Sequence, residues 1–273
     1  MTESSKKFGI LAYPAGHSLS PAMFKAAFGS AGIDAAYEVF EIPEAELEEF
    51  VRDREFDGLS VSLPYKEKIV GLLDEVDKAA DAIGAVNTVV RDGDVLRGFN
   101  TDWIGAVEAL KELGADLDGK KVVVLGAGGA ARAITYGLAR EGAEIVVLSR
   151  NLEDAKVLGE DFSVEYGMLS DAPEHECDIL IQATSVWITS GLDVKIVPDS
   201  YVSELGARGG VVMDIVYKPL MTPLLEYARE VGCHVVTGDK MLLNQAVKQF
   251  ELWFGKEAPR HVMGIGLEKG FSA

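Results

Sequence analysis

Six small residues, Gly126-Ala127-Gly128-Gly129-Ala130-Ala131, stand between a continuous β-branched run at 121–125 and a stretch of helical composition that ends at Gly142. That spacing suits one piece of chemistry. Gly126 permits a tight turn, Gly128 lets the backbone approach a diphosphate, and Ala131 lets a helix close on a strand, so that N–H groups at a helix N-terminus meet the anion. A GxGxxA string alone is equally a glycine packing cluster. The strand before it, the helix after it and a second apolar run at 144–148 favour a dinucleotide loop. NAD-type folds carry an acidic residue at the end of that second strand, but this chain has Ser149-Arg150-Asn151. Arg150 can meet a 2′-phosphate through two parallel N–H groups and stack on adenine, which favours NADP; a solvated arginine at a strand end is the alternative.

The elements that must position these residues read as α/β. In the first hundred residues, strands are expected at 8–12, 36–40 and 58–63, and helices at 44–52 and 66–76. A helix from Ser20 has serine as N-cap, Pro21 at its first position, and Gly32 as its stop. A hairpin is expected from 86–91 and 95–99 around Asp92-Gly93. Beyond Gly119 the apolar runs at 121–125, 144–148, 178–183, 210–215 and 233–236 alternate with helical stretches, the pattern of a parallel sheet covered on both faces. An amphipathic helix at 241–254, with Leu242, Ala246, Phe250 and Trp253 on one stripe, is expected to cross back to the first domain. The division expected is 1–104, 105–240 and 241–273.

Composition removes several function classes. The 273 residues carry 26 basic and 44 acidic side chains, a net charge of −18, which opposes binding to nucleic acid or to an anionic membrane. Cys177 and Cys233 lie far apart, with neither a disulfide framework nor a metal-like spacing, and no metal is expected. No apolar run approaches the roughly 18 residues of a membrane span, and residues 1–7 lack a signal-peptide core. The chain reads as a soluble cytoplasmic protein.

Seven motifs in order then resemble the shikimate dehydrogenase family: His17-Ser-Leu-Ser-Pro21, Ser60-Val-Ser-Leu-Pro-Tyr-Lys66, Gly84-Ala-Val-Asn-Thr88, Asn100-Thr-Asp102, the loop 126–131, Asp214-Ile-Val-Tyr-Lys-Pro-Leu220 and Met241-Leu-Leu-Asn-Gln245. The resemblance implies two domains, an N-terminal α/β substrate domain and a Rossmann-type NADP domain, with substrate in the cleft between them. It implies NADP-linked interconversion of 3-dehydroshikimate and shikimate in aromatic amino-acid biosynthesis. It assigns Lys66 and Asp102 as the catalytic pair, a lysine and a carboxylate able to hold and relay one proton. Ser18 and Ser20 match its carboxylate-binding positions, Ser62 stands for the usual threonine, and Asn87, Tyr217 and Gln245 match hydroxyl-binding positions. Gly126, Ala127, Gly128, Gly129 and Ala130 map to the pyrophosphate, Ser149, Arg150, Asn151 and Asp154 to the adenosine ribose, and Ile215 and Gly238 to the nicotinamide end.

The match has departures. Ser60 replaces asparagine, Trp103 and Trp187 replace glycines, and Asp154 occupies a place where many NADP users carry a second cation. NAD or dual cofactor use, and quinate in place of shikimate, are the neighbouring readings, since a pocket rejects an added hydroxyl only weakly. A non-catalytic nucleotide-sensing paralogue is the reading from another class. His17, beside two ligand serines, is assigned a structural role, and a monomer or homodimer is expected.

Overall fold

The structure, a computed structural model, describes residues 5–16, 18–186 and 194–272; His17 and Trp187 lie outside them. The chain divides into two units, 1–101 with 245–273, and 102–244.

The first unit carries a mixed six-stranded sheet in the order β2-β1-β3-β5-β6-β4. Its strands are β1 (Lys6–Ala12), β2 (Ala35–Glu41), β3 (Gly58–Val61), β4 (Glu75–Val76), β5 (Thr88–Asp92) and β6 (Val95–Phe99). Helices α1 (Ser20–Ala31), α2 (Leu47–Asp53) and α3 (Lys78–Ile83) lie between strands. β1 is parallel to both β2 and β3, whereas β5 is antiparallel to β3 and β6.

Two local expectations fail here. The helix expected at 66–76 is only a 3-10 turn, Lys68–Leu72, followed by β4. Tertiary pairing overrides the local pattern: Asp74 exchanges backbone and side-chain bonds with Leu96, and Glu75–Val76 pairs with Arg97 and Gly98. Helix α1 includes Ser20, and the cap is Leu19. Ser18 does the serine's work instead, its Oγ accepting from the Ser20 N–H at 3.2 Å. Helix α3 was not foreseen, although Asp77 marks its start by accepting from the Ala79 and Ala80 N–H groups.

The second unit is an all-parallel sheet in the order β12-β11-β10-β7-β8-β9. Its strands are β7 (Lys121–Leu125), β8 (Glu144–Ser149), β9 (Glu165–Met168), β10 (Ile179–Gln182), β11 (Val211–Asp214) and β12 (His234–Val236). Read outward from β7, the order reverses between β7 and β10, the Rossmann arrangement with its ligand crevice at that switch point. Helices α4 (Asp102–Glu112), α5 (Gly129–Arg140), α6 (Leu152–Phe162), α7 (Asp199–Ala207) and α8 (Pro223–Glu230) belong to this unit. Strand β7 shows why the run is continuously apolar. Val122 and Val124 enter one core with Ala131, Ile134 and Leu138 of α5, while Val123 and Leu125 enter another with Val202, Leu205 and Leu225.

Helix α9 (Gly238–Phe254) starts in the second unit and ends in the first. In the first unit its last turns close an aromatic cluster. Trp253 lies 5.0 Å from the Phe8 ring and 4.9 Å from Phe24, and Phe250 lies 6.5 Å from Phe28. The final helix, α10 (Arg260–Phe271), packs on α1, where Gly266 is close enough that a Cβ would stand 2.7 Å from the Ala22 carbonyl.

Candidate active site

In the first unit, β1 and β3 run parallel and end at one edge of the sheet. Ser18 and Ser20 follow β1, and Ser62 and Lys66 follow β3. Antiparallel β5 begins at that same edge, Ser60 pairing with Thr88, so Asn87 precedes it there; Thr88 pairs with Phe99, which brings Asn100 and Thr101 alongside. Backbone bonds tie these segments together: Val61 N to Asn87 O at 2.7 Å, Val86 N to Lys66 O at 2.7 Å and Ser62 N to Leu11 O at 2.9 Å. Buried Tyr65, whose hydroxyl donates to the Ile42 carbonyl, anchors the residue before Lys66.

Asn87 is the best-connected side chain of this edge. Its Oδ1 accepts from the Thr101 N–H at 2.7 Å and the Thr88 hydroxyl at 2.8 Å. Its Nδ2 donates to Thr101 Oγ1 at 2.9 Å and, more loosely, to Gln245 Oε1 at 3.3 Å. The structure therefore brings Asn87 and Gln245 together across 158 residues of sequence. Sequence reading did not find Thr88 or Thr101 as partners, nor Tyr37, Ser60 and Gln249 behind them. Four residues after Gln245 on α9, Gln249 was open to discovery by its helical spacing alone.

The second unit's candidate residues lie at the carboxyl ends of its parallel strands. Gly126 follows β7, Ser149 closes β8, Ile215 and Tyr217 follow β11, and Gly238 follows β12. Gly126 has φ +123°, and a Cβ there would stand 3.0 Å from the Ala183 carbonyl, so both backbone and space demand glycine. Gly128 is the opposite case. It is exposed, a Cβ would meet nothing within 4 Å, and no side chain caps the N-terminus of α5 behind it. An open backbone surface before an uncapped helix start fits a dinucleotide diphosphate. Arg150 is exposed, and next to it Asn151 caps α6 by accepting from Glu153 N at 3.1 Å. Asp154 is exposed in the first turn of α6.

Ile215 and Gly238 meet: a Cβ on Gly238 would stand 2.4 Å from the Ile215 carbonyl oxygen and 2.6 Å from that of Val216. The same turn is pinned by buried Asp214, which accepts from Val216 N at 2.9 Å and from Thr222 Oγ1 at 2.8 Å. Burial pushes the Tyr217 phenol above its ordinary value, which keeps it a neutral hydroxyl. Asp102 is buried at the start of α4. Trp103 faces helix α5, its ring edge-on to Tyr136 at 5.6 Å and beneath the Arg140 guanidinium at 5.7 Å. It is a packing residue of the α4–α5 contact.

Three family models match along the chain: shikimate dehydrogenase substrate binding domain at 10–89, shikimate / quinate 5-dehydrogenase at 108–190, and shikimate 5′-dehydrogenase C-terminal domain at 240–263. A shikimate dehydrogenase (NADP(+)) of Syntrophobacter fumaroxidans is 40% identical over 92% of this chain and 88% of its own. Among solved structures, shikimate 5-dehydrogenase of Thermus thermophilus in complex with NADP(H) and shikimate is 37% identical with a TM-score of 0.88, covering 97% of this chain and 99% of that one. Shikimate dehydrogenase of Aquifex aeolicus is 35% identical with a TM-score of 0.89, covering 98% and 99%.

Proposed function

The chain belongs to the shikimate dehydrogenase family, and from that premise we propose that it catalyses the reversible NADPH-linked reduction of 3-dehydroshikimate to shikimate. Bound NADPH supplies the hydride that reaches the substrate carbonyl carbon. The chain's own residues do the rest. Negative charge grows on the carbonyl oxygen, and the Lys66 ammonium delivers the proton that quenches it. Asp102 orients that ammonium and shares its proton. Ser18 and Ser20 hold the substrate carboxylate at the start of α1, where an anion is favoured. Ser62, Asn87, Tyr217 and Gln245 hold the hydroxyls.

Gly126, Ala127, Gly128, Gly129 and Ala130 take the pyrophosphate. Ser149, Arg150, Asn151 and Asp154 line the adenosine ribose, with Arg150 on the 2′-phosphate, and Ile215 and Gly238 stand at the nicotinamide. The protein acts on small molecules in the cytoplasm, as a monomer or homodimer; among the described residues no helix is long and apolar enough to cross a membrane.

The observation that carries this reading is the 3.3 Å contact between Asn87 and Gln245. It brings two amides suited to ring hydroxyls to the sheet edge that also bears Ser62 and Lys66. Steady-state turnover with shikimate and quinate, each paired with NADP and NAD, tests it; a preference for quinate would overturn it. Lys66→Ala is expected to lower kcat about 10²–10⁴-fold while NADP affinity stays within about twofold. Unchanged turnover removes Lys66 from the mechanism.

A further inference from the structure

Gln249 lies one turn beyond Gln245 on α9 and is 1% exposed. Its Nε2 donates to the Asn87 carbonyl at 3.0 Å and to Thr88 Oγ1 at 3.0 Å, and its Oε1 accepts from Ser60 Oγ at 2.7 Å. Ser60 Oγ in turn accepts from the Tyr37 hydroxyl at 2.7 Å. A backbone carbonyl can only accept, so the direction of the Gln249 amide is determined. Because Thr88 Oγ1 accepts from Gln249, its own proton goes to Asn87 Oδ1. The Thr101 N–H, which can only donate, fixes that same oxygen. Asn87 Nδ2 must then point at Gln245 Oε1, and that bond, at 3.3 Å, is the longest of the set and the one most easily opened.

We infer that Gln249 is a positioning residue that, together with the Thr101 N–H, holds the Asn87–Gln245 pair: it ties α9 to the Asn87 carbonyl and aims the Thr88 proton at Asn87 Oδ1. With the amides so directed, the pair offers one donor, Asn87 Nδ2, and one acceptor, Gln245 Oε1. A substrate hydroxyl accepts from the first and donates to the second when it opens their mutual bond. A carbonyl oxygen or an ether supplies only the accepting half. Ser60 and Tyr37 hold Gln249 and act through it. The inference rests on the assignment of Asn87 and Gln245 to substrate hydroxyls.

The test compares wild type with Gln249→Met, which keeps the side chain's length and removes both polar ends. Turnover is measured with shikimate and with its 4-deoxy and 5-deoxy analogues, and NADP affinity is measured without substrate. Wild type is expected to discriminate against at least one deoxy analogue. In Gln249→Met the shikimate KM rises about tenfold, one hydrogen bond's worth, and that discrimination narrows, while NADP affinity stays within about twofold. A general loosening of the fold would lower all three substrates alike.

If Gln249→Met is poorly folded, adding Ser60→Ala and Tyr37→Phe removes the hydroxyls it strands; the melting temperature recovers and the discrimination stays reduced. Discrimination equal to wild type in either variant overturns the inference and leaves the enzyme assignment standing. Absence of shikimate turnover in wild type overturns both.

Discussion

Gly58→Ala probes the attachment of α9 to the sheet that carries Asn87, one of the amides proposed to face the substrate. Gly58 opens β3, and a Cβ there would stand 2.5 Å from Trp253 Nε1, 2.8 Å from Trp253 Cδ1 and 2.9 Å from Phe8 Cδ1. Ordinary carbon contacts begin near 3.5 Å, so the indole must retreat by about 1 Å. It has little room to do so. Its ring is held between Phe8 at 5.0 Å and Phe24 at 4.9 Å, and its Nε1 donates to the Val89 carbonyl at 3.0 Å. A retreat of that size breaks the bond. Overpacking costs about 1–3 kcal/mol and the lost hydrogen bond about 1 kcal/mol, against at most about 1 kcal/mol gained from a stiffer unfolded chain. The overpacking wins, leaving a net loss of about 1–3 kcal/mol, or roughly 2–12 °C in Tm for a chain of this size. Gln245 and Gln249 ride on the same helix, so the shikimate KM is expected to rise while NADP affinity holds. Calorimetry and steady-state kinetics read both. A Tm within about 1 °C of wild type with an unaltered shikimate KM would refute the reasoning.

Other perturbations separate the remaining parts. Arg150→Ala should weaken NADP about 10- to 100-fold and NAD less than about twofold by titration calorimetry, because only NADP carries the 2′-phosphate; equal losses defeat that role. Gly238→Ala drives a Cβ to 2.4 Å from the Ile215 carbonyl, where only backbone can yield, so kcat should fall about 100-fold in a folded protein; normal kcat would show that the Ile215 turn does not place the nicotinamide. Burial pushes the Cys177 thiol up to about 11 from an ordinary 9.0. The unfolded chain then loses this proton first as pH rises, so stability is complete below about pH 9 and declines toward pH 11, by about 2–3 kcal/mol from this group. Urea midpoints from pH 8 to 10.5 should fall more steeply for wild type than for Cys177→Ala, and parallel curves would count against it.

What the sequence made legible depended on how local the cause was. β7 was readable because both of its faces are buried from Val122 to Leu125 and each of those positions must be apolar. The turn after it was readable because its backbone demands glycine: Gly126 has φ +123°, and a Cβ there would stand 3.0 Å from the Ala183 carbonyl. The segment after Lys66 was misread because its helical pattern competes with a strand pairing to Arg97 and Gly98, about twenty residues on, which no local window contains. Ser20 was misread as a cap because serine suits the N-cap and the first turn alike, and only the Ser18 hydroxyl decides between them. The partners of Asn87 were hidden for the same reason as β4. Thr101 lies 14 residues on and Gln249 162, and an amide's direction is a property of the whole network.

The sites proposed in the two units would recognise their ligands by different means, and they should fail by different means. Around the proposed diphosphate and nicotinamide sites the decisive positions are those where atoms are missing. At Gly126 and Gly238 a Cβ would strike carbonyl oxygens, and at Gly128 it would cover the backbone offered to a phosphate. Any side chain harms these positions, whatever its polarity. In the network behind Asn87 and Gln245 each amide and hydroxyl has a direction inherited from a neighbour, beginning at the Thr101 N–H and the Asn87 carbonyl, which cannot reverse. There size is secondary, and an isosteric change that swaps a donor for an acceptor, such as Asn87→Asp, does the damage. A phosphate only accepts and can be met by any bare backbone N–H, whereas a ring of hydroxyls is distinguished by which oxygen gives and which receives. A buried polar network behind the substrate amides and bare glycine around the nucleotide follow from that difference in ligand chemistry.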